Sequence, residues 1–282
     1  MIKKIVIPAA GLGTRLLSIT KEIPKEMLPL YTQSINGGIC LKPIVQIVFE
    51  QLFNTGFREF CFIVGREKRA IQDHFSPDQS YLTQLKTLGK QQETKDLEEF
   101  YDKIESSTIV WINQPKPKGF GHAVLQARSF TNNEPFIVHA GDTIILSKDK
   151  KQLQQITTTK KAATLSLLEV KETKHYGIAE ITGSNPPYYV KKVIEKPEKP
   201  TSNLAIMPIY AFTKKIYEAL DETKPDERGE IQLTDGIQKI IEWQDKVIAF
   251  KLSGVLHLDI GTPESYCDAQ NISFEHLTKG QI

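Results

Sequence analysis

Three observations predict an α/β fold built on a mostly parallel sheet with helices on both faces. Short apolar runs rich in Val and Ile alternate with segments of helical spacing, a glycine-rich turn follows the first run, and the pattern repeats along the first half of the chain. Ile5-Val6-Ile7 reads as a buried strand, Ala9-Ala10-Gly11-Leu12-Gly13 as the turn, and residues 43–53 as a helix with Ile44, Ile47, Val48, Gln51 and Leu52 on one face. Asn54-Thr55-Gly56 is a helix stop, and Phe60-Cys61-Phe62-Ile63-Val64 a second strand. Ile109-Val110-Trp111-Ile112 precedes a helix over residues 121–127, and Phe136-Ile137-Val138 precedes a polar helix near residue 150.

The polar segment at residues 75–108 interrupts this alternation. Its Leu82, Leu85, Leu88, Leu97 and Phe100 suggest peripheral helices on an insertion. Leu165 to Leu168 is a further apolar run. Tyr176 to Ile181 and Tyr188 to Ile194, separated by Gly183-Ser184-Asn185-Pro186-Pro187, predict a hairpin and a β-rich region over residues 170–212. Residues 230–243 look helical, Val247 to Leu252 and Leu256 to Leu258 extended, and Thr262-Pro263-Glu264 opens a helix with proline at its first position. No internal repeat is visible, and residues 1–282 are expected to form one domain.

Composition narrows the function. With 36 basic and 34 acidic side chains the net charge is +2, which leaves no electrostatic footprint for nucleic acid. The basic cluster from Lys148 to Lys151, interrupted by Asp149, reads as a solvated helix. No run approaches the roughly 20 apolar residues of a membrane span, and the amino terminus lacks a signal-peptide core, so a cytoplasmic protein is expected. Cys40, Cys61 and Cys267 are widely spaced, and neither they nor the histidines show metal-ligand spacing.

Two segments carry chemistry. Pro8-Ala9-Ala10-Gly11-Leu12-Gly13-Thr14-Arg15 places glycines after a strand, where backbone N–H groups can approach phosphate, and Arg15 adds a fixed cation. Position 16 is Leu, so the third glycine of a dinucleotide-binding turn is missing, as is the Gly-Lys-Ser/Thr ending of a P-loop. Glycines alone fit an ordinary strand-to-helix turn equally well. Pro24-Lys25-Glu26-Met27-Leu28-Pro29 tips the balance by bringing a second cation on a proline-braced segment.

These segments recur in order with Gly119-Phe120-Gly121-His122-Ala123-Val124, Glu195-Lys196-Pro197, Ser202-Asn203-Leu204-Ala205-Ile206 and Gly229-Glu230-Ile231-Gln232-Leu233-Thr234-Asp235. The ordered set resembles the bacterial UTP–glucose-1-phosphate uridylyltransferases, within the wider sugar-nucleotidyltransferase family that includes the thymidylyltransferases. The resemblance implies a Rossmann-like nucleotide-diphospho-sugar transferase fold: a mostly parallel mixed sheet flanked by helices, with a small β-rich sugar-side region. It implies Mg2+-dependent transfer of UMP from UTP to glucose 1-phosphate, and a homo-oligomer, dimer or tetramer.

Carried over by position, the resemblance places Ala10, Gly11 and Gly13 in the nucleotide loop, Arg15 and Lys25 on the triphosphate, and Glu26 in the nucleotide pocket. Gln114 and the Gly119 backbone would read the pyrimidine, an amide being able to match both a donor and an acceptor of uracil. Asp142 would contact nucleotide and, with Asp259, hold Mg2+. Tyr176-Gly177 and Glu195 would face glucose, and Lys196 the phosphates between the substrates. Two departures lean toward dTTP-using relatives: Asp259-Ile260-Gly261-Thr262-Pro263-Glu264-Ser265 lacks the lysine common at this motif, and Gly141 stands where proline is common. The insertion at 75–108 and Glu230-Ile231-Gln232-Leu233-Thr234-Asp235 lean toward UTP. A non-catalytic sugar-nucleotide sensor would be expected to lack one of Arg15, Lys25, Asp142, Lys196 or Asp259, and all five are present.

Overall fold

The computed structural model describes residues 2–147, 151–157 and 161–279. In chain order its elements are β1 (Lys4–Ala9), α1 (Leu17–Thr20), β2 (Pro29–Gln33), β3 (Ile39–Pro43), α2 (Ile44–Asn54), β4 (Glu59–Val64), α3 (Arg69–His74), α4 (Gln79–Thr87), α5 (Gln91–Glu105) and β5 (Thr108–Asn113). There follow α6 (Phe120–Gln126), α7 (Arg128–Thr131), β6 (Phe136–His139), β7 (Thr143–Ser147), α8 (Lys151–Thr157), β8 (Ala163–Glu169), β9 (Gly177–Thr182), β10 (Tyr188–Glu195) and β11 (Leu204–Phe212). The last are α9 (Lys215–Asp221), α10 (Leu233–Glu242), β12 (Val247–Lys251), β13 (Val255–Asp259) and α11 (Pro263–Lys279).

A central sheet runs in the order β5-β4-β1-β6-β11-β8-β12-β10-β9. The predicted parallel character belongs to β5-β4-β1-β6 and to the β8–β12 pair. The remaining neighbours are antiparallel, because β11 returns between β6 and β8, and β9–β10 is the expected hairpin at the far edge. Two small antiparallel ribbons, β2–β3 and β7–β13, lie outside the sheet.

β1 and β4, buried at every residue after the first, separate two apolar layers. One joins α2 to α3, α5 and α11, the other α6, α9 and α10. The segment at 75–108 is helical as expected, but it is more than peripheral: Phe100 is buried against Phe49 and Phe75, at ring separations of 6.3 and 5.4 Å, and Leu82 is buried while Leu88 is exposed. Burial of one apolar face per helix explains the split. Pro263 does open α11, and Thr262 Oγ1 accepts from Ser265 N at 3.1 Å as its cap. Of the basic cluster, residues 148–150 lie outside the described residues. Among the described residues no helix is long and apolar enough to cross a membrane.

Candidate active site

Strands β1, β4, β5 and β6 run parallel, so their carboxyl ends share one rim of the sheet, where α/β folds present ligands. The residues just past those ends are Ala10, Gly65, Gln114 and Ala140, and each borders one of two clefts. The smaller cleft, about 190 Å³, includes Ala10, Gly65, Lys68 and Gln114. The larger, about 530 Å³, includes Arg15, Asp142, Gly177, Glu195, Lys196 and Asp259.

Backbone bonds set the rim. Gln114 N donates to Val64 O at 2.8 Å, and Gly141 N to Pro8 O at 3.2 Å. Position 141 therefore uses an N–H that proline lacks. Gly13 has φ 66° and opens a short 3-10 turn at Thr14–Leu16; its carbonyl accepts from Thr20 Oγ1 at 2.9 Å, which folds the loop back on itself. This turn directs Arg15 to the larger cleft. Gly11 sits over Lys25, whose Nζ would be 3.8 Å from a Cβ at that position.

Lys25 Nζ is bonded to Asp142 Oδ2, and both side chains keep some exposure, at 17% and 20%. Burial alone would lower the Lys25 pKa, but Asp142, Glu26 and Asp259 outweigh it and raise it. Burial likewise works against the Asp142 carboxylate, yet Lys25 wins and holds its pKa below the usual range. Both groups are therefore ionised at neutral pH. Glu26 is only 1% exposed and bonds Lys68 Nζ at 2.8 Å. Its carboxylate lies beneath the loop, and Lys68 is the partner that reaches the smaller cleft. Burial pushes the Glu26 pKa up, against Lys68 and Lys25.

The two metal-site candidates meet because β7 and β13 pair with Thr143 opposite Asp259, which puts Asp142 next to that partner. Asp259 Oδ2 accepts from Gly261 N at 3.0 Å. A Cβ on Gly261 would be 2.8 Å from that oxygen and 3.3 Å from Arg15 Nη2, so the glycine makes room for both groups. Two carboxylates, one firmly ionised, open on one cleft and suit a hard divalent cation that takes its other ligands from phosphate and water. Among the described residues no third His, Cys, Asp or Glu completes a protein-only cage.

Across the same cleft, Glu195 Oε2 accepts from Thr234 Oγ1 at 2.7 Å, and its Oε1 pairs with Lys196 Nζ at 3.2 Å. Gly177 lies directly beneath: a Cβ there would be 3.0 Å from Thr234 Oγ1 and 3.1 Å from Glu195 Oε2. Lys196 has φ 41°, an uncommon backbone state for a side-chain-bearing residue, which turns it out of the β10 ladder at the cleft edge.

Next to Gln114, Gly119, at φ 93° and ψ 171°, starts α6. Its carbonyl accepts from Gln114 Nε2 at 3.2 Å, and that nitrogen also lies 2.9 Å from His122 Nδ1. The structure thus brings Ala10 and Gln114 together in one cleft and Arg15, Asp142, Gly177, Glu195, Lys196 and Asp259 in the other, with Lys25 on Asp142 and Glu26 buried below. Thr234, Lys68 and His122 are contacts that sequence reasoning did not single out. Thr234 and His122 stand inside quoted motifs, whereas Lys68 carried no signal beyond its place after the β4 strand.

Residues 4–275 match the model of the nucleotidyl transferase family. The chain is 39% identical to a UTP–glucose-1-phosphate uridylyltransferase of Bacillus subtilis, covering 92% of this chain and 87% of that one. It is 34% identical to a UTP–glucose-1-phosphate uridylyltransferase of Pseudomonas aeruginosa, covering 99% and 98%. The crystal structure of a UDP-glucose pyrophosphorylase complexed with UDP-glucose superimposes with a TM-score of 0.81 at 32% identity, over 98% of this chain and 99% of that chain. The chain belongs to the nucleotidyl transferase family, among the bacterial UTP–glucose-1-phosphate uridylyltransferases.

Proposed function

We propose that this chain transfers UMP from UTP to glucose 1-phosphate, giving UDP-glucose and pyrophosphate. The observation that carries the reading is the layout of the rim: a small cleft bordered by the Gln114 amide, and a larger cleft that gathers Arg15, Lys196, Asp142 and Asp259 with the Thr234-bonded Glu195 carboxylate. Gln114 reads the base, with Ala10, Gly11 and Gly13 as the backbone floor of the nucleotide. Glu195 and Gly177 face the sugar; the carboxylate accepts from hydroxyls, and the missing Cβ leaves room for the Thr234–Glu195 bond that positions it.

The attacking sugar phosphate is already an anion, so the chemistry needs no general base. One of its oxygens bonds to the α-phosphorus of UTP while the bond from that phosphorus to the bridging oxygen of pyrophosphate breaks. The chain's task is to hold two anions in line and to balance charge. Lys196, at the edge of the sugar cleft, draws the sugar phosphate in. Arg15 and Lys25 stabilise the departing pyrophosphate. Asp142 and Asp259 would hold a divalent cation, Mg2+ by its preference for carboxylate and phosphate oxygens, which supplies further charge neutralisation at the phosphates. Glu26 acts from below by fixing Lys68 and adding to the field that keeps Lys25 charged.

The test is pyrophosphate release over a matrix of UTP, dTTP, CTP and ATP against several sugar 1-phosphates. UTP with glucose 1-phosphate should give the highest kcat/KM. Uracil and thymine differ by one methyl, worth about 1–3 kcal/mol in a pocket, so measurable use of dTTP is expected. Higher efficiency with dTTP would overturn the uridylyl reading. Binding of UDP-glucose without any pyrophosphate release would instead make the chain a sensor.

A further inference from the structure

Gln114 is 4% exposed, and both acceptors around its amide nitrogen come from one short stretch of chain: Gly119 O at 3.2 Å and His122 Nδ1 at 2.9 Å. A backbone carbonyl can only accept, so Gly119 fixes which end of the amide is NH2. The second amide hydrogen then points to His122 Nδ1, which must carry a lone pair. Neutral imidazole with its proton on Nε2 meets that demand. Burial, aided by the nearby Lys118 charge, lowers the His122 pKa from its ordinary value and so favours that form.

The consequence is a restricted reader. A free amide can offer a donor or an acceptor to a base, but both hydrogens of Gln114 are committed, which leaves Oε1. Among the described residues that oxygen has no hydrogen-bond partner. An isolated acceptor suits the N3–H of uracil or thymine and opposes the N3 lone pair of cytosine.

We propose that His122 is a positioning residue that locks the Gln114 amide, and so makes the smaller cleft select pyrimidines bearing N3–H over cytosine. This rests on the reading of Gln114 as the base-contacting residue. With this lock the amide serves uracil through its acceptor alone and not through a donor as well. Without the histidine acceptor the NH2 end is held at Gly119 alone, and the amide can turn to present a donor to cytosine.

Steady-state kcat and KM for UTP and CTP, with glucose 1-phosphate saturating, test it in the wild type and in His122→Ala, His122→Asn and Gln114→Ala. The wild type should favour UTP. His122→Ala should reduce the UTP:CTP ratio of kcat/KM by about tenfold or more, mainly by raising KM for UTP with kcat for UTP little changed. His122→Asn, whose amide oxygen can take the place of Nδ1, should recover most of the ratio, a rescue that a general packing role would not produce. If the alanine variant folds poorly, His122→Phe fills the ring volume without the acceptor and is read against His122→Asn in the same way. An unchanged ratio in His122→Ala or His122→Phe, combined with a lost ratio in Gln114→Ala, would overturn the role of His122 alone. An unchanged ratio in Gln114→Ala would remove Gln114 as the base reader, and a wild type indifferent to UTP and CTP would refute both.

Discussion

Replacing Gly119 by alanine should be among the most damaging single-methyl changes in the chain. With φ 93° and ψ 171°, Gly119 occupies a backbone region open essentially to glycine alone, and entering it with a Cβ costs about 1–3 kcal/mol. The new carbon would also lie 2.7 Å from Ile231 O, 2.9 Å from Glu230 Cβ and 3.0 Å from Ile231 N. Two of those neighbours are backbone atoms. They belong to a clamp in which Ile231 N donates to Lys118 O at 2.8 Å and Gly121 N to Ile231 O at 2.9 Å. Opening the clamp loses about 1 kcal/mol for each of its two hydrogen bonds, so a total of about 3–5 kcal/mol is expected. Gly37→Ala is the control: φ is 84°, but nothing lies within 4 Å of the added carbon, so only the backbone cost of about 1–2 kcal/mol remains. Urea unfolding of the two variants separates the terms, and kcat/KM for UTP should fall at least tenfold in Gly119→Ala only. Equal destabilisation of both variants, or a Gly119→Ala protein within about 0.5 kcal/mol of wild type, would refute the argument.

Asp142→Asn and Asp259→Asn should each lower turnover by about a hundredfold or more and weaken the dependence on Mg2+, because an amide oxygen is a poorer cation ligand than a carboxylate; near-normal Mg2+ titration in either would remove that residue from the metal site. Phe100→Ala should cost about 3–5 kcal/mol in urea unfolding while leaving KM for both substrates unchanged, since the ring fills the aromatic cluster with Phe49 and Phe75 and borders neither cleft; a shift in KM with intact stability would contradict this. Burial, only partly opposed by Glu50, lowers the His74 pKa to about 4. The unfolded chain thus takes up this proton first, and stability falls as pH drops from about 6.5 toward 4, by about 1.4 kcal/mol per pH unit for one such histidine. His74→Gln should flatten that slope in urea titrations at stepped pH, and an unchanged slope would show that His74 does not titrate as its surroundings dictate.

Much of the sheet was legible because a strand buried on both faces must be apolar throughout, as Ile5-Val6-Ile7 and Phe60 to Val64 are. The β9–β10 hairpin and the proline start of α11 were legible from turn and cap chemistry. The β2–β3 ribbon escaped, although Asn36-Gly37-Gly38 marks its turn, because exposed Ile39 and Leu41 give no inward-facing pattern. Residues 230–232 were expected to be helical. They are instead irregular chain leaving a turn at 226–229, held off the helix because the Asp226 carboxylate accepts from Arg228 N and Glu230 N, both at 2.9 Å, and from Gln232 Nε2 at 3.0 Å. Individual candidates such as Lys25, Asp142 and Asp259 could be named from their motifs. Their mutual placement could not, since it depends on the β7–β13 pairing and on a Lys25–Asp142 contact spanning 117 residues.

That Asp226-braced turn also ties the two clefts together. Ile231 grips the loop that presents Gly119, and therefore the carbonyl on which Gln114 rests. Three residues later, Thr234 in the first turn of α10 reaches Glu195, and Gly177 has no Cβ that would crowd the bond. In the proposed function, the contact assigned to the base and the one assigned to the sugar so hang from opposite ends of one short segment, from Ile231 to Thr234. The proposed in-line transfer requires the two substrates to be held in a fixed mutual geometry, and a brace common to both clefts would couple their positions. The same economy makes the segment vulnerable: a displacement that begins at Gly119 meets Ile231, and within three residues it reaches Gln232 and Thr234, which line the larger cleft, Thr234 holding Glu195.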